Sequence, residues 1–242
     1  MGVPMVGCEC QVCRSEDPRD KRLRTSALIK AGDAVILIDT SVDFRQQILR
    51  AGISRLDAVI YTHHHVDHIL GLDDLRGFNI LHKTPIPLFG MEETLKAIRR
   101  VFPYAFSEEL KYSGVPQISL NILDGQPFQI KGIDILPVPL LHGRMPVLGF
   151  RIGDFAYCTD VNKIPPPSYD LLRNVKVLIL DALRHKPHPT HFSVAEAVRE
   201  AQKIGAEQTY LTHISHALSH QETEAQLPEG VFLAYDGLKF EL

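Results

Sequence analysis

Residues 62–68 read Thr-His-His-His-Val-Asp-His, which puts four imidazoles and a carboxylate into six consecutive positions. Imidazole and carboxylate are ordinary ligands of Zn, Mn and Fe, and clustered histidine points to a metal before any other chemistry. The cluster follows the apolar run LDAVIYT (56–62), which has the composition of a buried strand. On a loop leaving such a strand, His63 and His65 alternate in direction, while Asp67 and His68 begin a helix, so four ligating groups can converge. His64 lies between two of them and must point away, toward packing or solvent.

Three further groups stand at the same kind of place. His142 follows LPVPLL, Asp160 follows FAYCT and His213 follows TYLT, each at the C-terminal end of an apolar strand, where open α/β sheets build their sites. Together these make five imidazoles and two carboxylates. One tetrahedral ion cannot use them all; two ions bridged by a carboxylate and a hydroxide can. A second cluster opens the chain: GCECQVC (7–13) holds Cys8, Cys10 and Cys13, and only Cys158 lies elsewhere. In a reducing compartment such thiols are metal ligands rather than disulfides. Cys158, within the apolar FAYCTD, is expected to be a small buried hydrophobe.

The elements that must carry these groups alternate along the chain. Residues 25–41 predict two strands joined at Ala31-Gly32-Asp33, and FRQQILRAG predicts a helix stopped at Gly52. A short helix is predicted from Val66 to about Leu75 and another over 92–102. Strands follow in ISLNIL, FQIKGIDILPVPLL and VLGFRIGDFAYCTD, then a proline-rich connector at Pro165–Pro167 and a strand in KVLILDAL. The helix over 193–206 opens with Ser193 and Glu196 in capping-box spacing and closes at Gly205, before strands in QTYLTHIS and GVFLAYDGLKFEL. Interleaved strands and helices without a linker predict an α/β fold and one domain, 1–242.

Composition sets outer bounds. The chain has 242 residues, 45% hydrophobic and 23% charged, with 26 basic against 29 acidic residues and a net charge of -3. No basic stripe advertises nucleic acid as a partner, no run is long enough to span a membrane, and no signal-peptide layout opens the chain. A cytoplasmic enzyme is the expectation, with a homodimer as its possible assembly.

The series H-x-H-x-D-H after a strand, a lone His, an Asp in TD and a late His in LTH resembles that of the metallo-β-lactamase superfamily, over nearly the whole chain. The resemblance implies an αββα sandwich with a dinuclear site in which His63, His65 and His142 hold one ion, Asp67, His68 and His213 the other, and Asp160 bridges. Asp39, in ILIDTS, resembles a superfamily aspartate and is expected to orient ligands rather than bind metal. GVPMVGCECQVC looks like the opening of cyclic phosphodiesterases of the phosphonate-degradation type. That likeness implies a structural zinc on Cys8, Cys10, Cys13 and His216, three residues after His213, and makes His191 the catalytic histidine that is not a ligand, with His185 and His188 as rivals. Asp67 would orient the attacking hydroxide as well as ligate. Members usually begin with a strand and a GTGTS turn before GVP, so the first strand is expected to be lacking.

The implied activity is hydrolysis of a small, cyclic phosphodiester or nucleotide by a hydroxide bridging two divalent ions (Zn, Mn or Fe). The alternatives are a tRNA 3'-end nuclease, a thioester, lactone or β-lactam hydrolase, and a metal-binding accessory protein of cofactor synthesis. Asp181 could equally bind a ligand residue or a core loop; His82 and His220 are expected at the surface. Loops 102–117 and 143–148 are expected to touch substrate.

Overall fold

A computed structural model describes residues 2–107, 109 and 114–242; part of the 102–117 loop therefore lies outside the described residues. The chain divides into two compact units, one formed by Arg24–Asp134 and the other by Met1–Leu23 with Ile135–Leu242. It opens with the short helix α1 (Gln11–Arg14) of the second of these.

The unit 24–134 holds β1 (Ala27–Ala31), β2 (Ala34–Ile38), α2 (Phe44–Ala51), β3 (Ala58–Ile60), α3 (Val66–Ile69), α4 (Arg76–His82), β4 (Ile86–Gly90), α5 (Glu92–Val101), β5 (Ile118–Ile122) and β6 (Phe128–Ile130). Strands β1 to β5 form a sheet in chain order; β1 and β2 are an antiparallel hairpin and the other neighbours are parallel. Helix α2 ends where Gly52 takes φ 64, as its glycine stop predicts. Its core gathers Leu37, Phe44, Val59, Tyr61, Leu72 and Leu88. The helix predicted from Val66 is interrupted: α3 is four residues long and a 3-10 segment, Leu70–Leu75, follows it.

The unit containing the C-terminus holds β7 (Ile133–His142), β8 (Met145–Ile152), β9 (Phe155–Cys158), α6 (Pro166–Leu172), β10 (Val177–Asp181), α7 (Val194–Ile204), β11 (Gln208–Thr212), α8 (His220–Glu224) and β12 (Val231–Leu233). Its strands run in the order β12-β11-β10-β9-β8-β7. Strands β9, β10, β11 and β12 are parallel, whereas β7–β8 and β8–β9 are antiparallel. Two reversals return β7 to the direction of β9, so the C-terminal ends of β7, β9, β10 and β11 share one edge of this sheet. The capping box on α7 is formed, with both Ser193 and Glu196 bonds present. Two α/β units, each a sheet with helices, agree with the α/β expectation. The connector expected at Pro165–Pro167 instead starts α6, because proline is favoured in a helix's first turn. Among the described residues no helix is long and apolar enough to cross a membrane.

Candidate metal centres and the histidine beside them

In the unit 24–134 the candidate residues leave the C-terminal ends of the parallel pair β2 and β3. Asp39 follows β2, is fully buried and has φ 61. A left-handed backbone is uncommon outside glycine, although aspartate tolerates it best, and such strain concentrates at functional sites. Its Oδ1 accepts the Thr62 N–H at 2.8 Å, and its Oδ2 accepts both the Thr62 hydroxyl and His68 Nδ1 at 2.8 Å. The Thr62 hydrogen is thus spent on Asp39, so Thr62 Oγ1 accepts from His63 Nδ1 at 2.9 Å. Asp39 therefore fixes His68 directly and His63 through Thr62, and in both rings Nδ1 is the nitrogen committed to these partners. Burial pushes the Asp39 carboxyl up, against the opposing pull of His68 and Thr62. The rings of His63 and His68 lie 4.3 Å apart, and those of His63 and His65 4.7 Å. Asp67 sits beside His68 in α3, and His64 is half-buried.

In the other unit, His142 ends β7, Asp160 follows β9, Asp181 ends β10 and His213 follows β11, all on the edge shared by those strand ends. Asp160 (φ 52) and His213 (φ 57) repeat the left-handed conformation of Asp39. His142 Nδ1 donates to the Thr190 carbonyl at 2.7 Å, which directs its Nε2 to any ligand, and burial holds its pKa below the usual imidazole value. His213 Nε2 lies 3.5 Å from Asp160 Oδ2. His191, nearly buried, donates Nδ1 to Asp181 Oδ2 at 3.0 Å and stacks on the His213 ring at 4.6 Å with 9° between planes. One ligating atom each from Asp160, His191 and His213 falls within 4.8 Å of the others.

Asp181 is an orienting group for His191. It is fully buried and also accepts the Phe192 N–H at 3.1 Å; burial raises its carboxyl well above the usual range. Of the rivals, His188 is half-buried and its Nδ1 accepts from Thr190, while His185 is exposed. His220 is not a surface residue as expected: it is 1% exposed, because Ser219 caps α8 and the His220 N–H is held by Asp20. Thr62 and Thr190, which fix His63 and His142, carry no sequence signal that would single them out.

The cysteine cluster lies in the same unit as His216. Sγ of Cys8, Cys10 and Cys13 stand 3.2, 3.5 and 3.6 Å from His216 Nδ1. A tetrahedral zinc with bonds of about 2.3 Å to sulfur and about 2.0 Å to nitrogen would set those separations at about 3.5 Å, so the four groups fit such an ion. Backbone N–H groups of Met5 and Cys13 reach the sulfurs of Cys13 and Cys10. The Cys13 N–H, foremost, draws the Cys10 thiol down to about 6.

A model of the beta-lactamase superfamily domain matches residues 35–214. The solved structure of a diphosphatase from the PhnP family is similar to this chain with a TM-score of 0.92 and 45% identity, over 98% of this chain and 91% of that one. An octanoyltransferase of Porphyromonas gingivalis is 42% identical over 98% of this chain, which spans only 49% of that relative's length. A ribonuclease Z of Mycolicibacterium paratuberculosis is 25% identical over 83% of each protein.

Proposed function

Because this chain belongs to the beta-lactamase superfamily, we propose that it is a metal-dependent hydrolase of small phosphorus esters. The reaction would cleave a phosphorus–oxygen bond in a cyclic phosphodiester or an internal diphosphate. In both, the phosphorus under attack carries two bridging oxygens, so one arrangement of groups serves either. The similarity to a PhnP-family diphosphatase supports this substrate class.

The proposed ligands are His63, His65 and His142 for one ion and Asp67, His68 and His213 for the other, with Asp160 between them. The donor set fits: His63, His68 and His142 each commit Nδ1 to a hydroxyl, carboxylate or carbonyl, the usual setting of a ligating histidine. When bound, two divalent ions would lower the pKa of a water toward neutrality and neutralise phosphoryl oxygens. Asp67 would orient the attacking water. Cys8, Cys10, Cys13 and His216 would hold a third, structural zinc.

The observation that carries the phosphorus reading is His191. Its Nδ1 donates to Asp181, whose carboxylate would support the imidazolium form, in which the Nε2 hydrogen can pass to a leaving alkoxide or hold a phosphoryl oxygen. A thioester needs no such donor, since thiolate leaves unaided. A long RNA would need a basic surface, and the chain has a net charge of -3.

The test is metal analysis with a substrate panel: a cyclic phosphodiester, an internal diphosphate, a tRNA precursor, a lactone and an octanoyl thioester. Turnover of a phosphorus ester is expected, with His191→Ala lowering kcat about 10²- to 10³-fold while metal content holds. Asp160→Ala should lose metal and turnover together. Faster turnover of the thioester or lactone than of any phosphorus ester would overturn the reading, and full activity in Asp160→Ala would remove the dinuclear assignment.

A further inference from the structure

We propose that Asn162 is a positioning residue that sets His142 and His191 in one registered arrangement; this rests on the roles given to those two histidines above. Asn162 brackets His142. Its backbone N–H donates to the Leu141 carbonyl at 3.0 Å, and its Oδ1 accepts the Gly143 N–H at 2.7 Å. The peptide units on both sides of His142 thus hang on a single residue. The other end of the same amide, Nδ2, donates to the Pro189 carbonyl at 2.9 Å. The next residue is Thr190, whose carbonyl receives the His142 Nδ1 hydrogen at 2.7 Å, and the one after that is His191.

One planar amide therefore spans the turn after β7 and the loop before α7. Only a group with an acceptor at one end and a donor at the other can do this; a carboxylate offers no donor, and alanine offers neither. The two segments meet closely as well. Gly143 has φ 66, and a Cβ there would lie 3.0 Å from Thr190 Cγ2, so the loop has little room to settle elsewhere. Asn162 stands two residues beyond Asp160, on the turn leaving β9, and Phe192 closes the same turn by donating its N–H to the Val161 carbonyl at 2.9 Å. Asp160, His142 and His191 are in this way referred to one short segment, 160–162. Because Asn162 is half-buried and outside the apolar core, its substitution leaves the packing of the unit intact.

The test compares Asn162→Ala, which removes both side-chain bonds, with Asn162→Asp, which keeps the acceptor for Gly143 and loses the donor for Pro189. Melting temperatures within about 4 °C of the parent are expected for both. In Asn162→Ala, kcat on a phosphorus ester should fall about 100-fold with KM within about twofold, since a misplacement near 1 Å costs that much in rate, and Asn162→Asp should lie between. Two readouts need no substrate. The hydrogen-bonded His142 Nδ1 proton should give a downfield NMR signal in the zinc-loaded parent that shifts or vanishes in Asn162→Ala. Retention of active-site zinc against a chelator should weaken about 10- to 100-fold. An unchanged imidazole signal and unchanged zinc retention in Asn162→Ala would overturn the positioning role. Absence of any phosphorus-ester turnover in the parent would instead refute the functional reading, leaving these two measurements to decide on Asn162.

Discussion

Cys158 has none of its surface exposed, and burial alone pushes its thiol up to about 12. Cys10 caps α1 by accepting the Cys13 N–H, and its thiol falls to about 6. Thiolate is the reactive form, so the two sites should differ in chemistry by far more than their shared residue type suggests. After treatment with a strong chelator, the folded protein at pH 7.5 is expected to take up a maleimide first on Cys10, within minutes, more slowly on Cys13, whose buried thiol is pushed up, and on Cys158 only after denaturation. Mass spectrometry of the intact and digested protein counts the adducts. Labelling of Cys158 at the rate of Cys10 would show that its surroundings are not closed. The imidazoles follow the same logic: the Thr62 hydroxyl next in sequence, the Asp39 carboxylate one strand back and the Thr190 carbonyl three strands on engage Nδ1 of His63, His68 and His142.

The elements hold these groups through a few close approaches. Gly71 lies in the 3-10 segment after α3, and a Cβ on it would fall 2.1 Å from the Ser41 carbonyl oxygen and 2.5 Å from Phe44 Cβ. Both obstacles belong to the backbone or to its first side-chain atom, so neither can swing aside. Gly71→Ala must therefore push α3 away from the turn 39–41, and a loss of about 3 kcal/mol is expected in urea unfolding, at the upper end for overpacking. A loss below about 0.5 kcal/mol would mean that the segment moves freely. Much at this level was legible in the residues: the glycine stop of α2, the capping box of α7 and the hairpin β1–β2 are local patterns, and His63 to His68 is a local spacing. What stayed hidden depends on distant partners. Strand β4 reads IPLFG, with a proline and no alternation, and is a strand because β3 and β5 flank it. The hold on the His220 N–H comes from Asp20, two hundred positions away. The role of Asn162 arises from three turns that meet only once the sheet has formed.

The unit containing the C-terminus is built from two separate stretches of chain, and the first, Met1–Leu23, is held by few bonds. Val3 and Arg22 pair through their backbones, Arg22 donates to the Leu218 carbonyl at 3.0 Å, and Asp20 accepts the His220 N–H at 2.8 Å. Zinc on the cysteine cluster would add a cross-link between residues 203 positions apart, Cys13 and His216. Closing a loop of that length in an otherwise unconstrained chain is worth about 5 kcal/mol by the chain-entropy scaling for cross-links. The hydrogen bonds of Asp20 to His220 and of Arg22 to Leu218 already close much of the same loop, so the zinc's share should be smaller, about 3 kcal/mol. Cys13→Ser is therefore expected to lose one zinc equivalent by elemental analysis and to melt about 10 °C lower, at about 3 °C per kcal/mol for a chain of this size. Limited proteolysis should then cut first within residues 2–23, while the fragment 24–242 persists. Because these ligands are proposed to hold structure rather than to touch the reacting phosphorus, turnover measured well below the new melting point should stay within about threefold of the parent. Unchanged zinc content and melting temperature would remove the structural zinc, and a deep loss of turnover in a variant as stable as the parent would move the cluster into the chemistry.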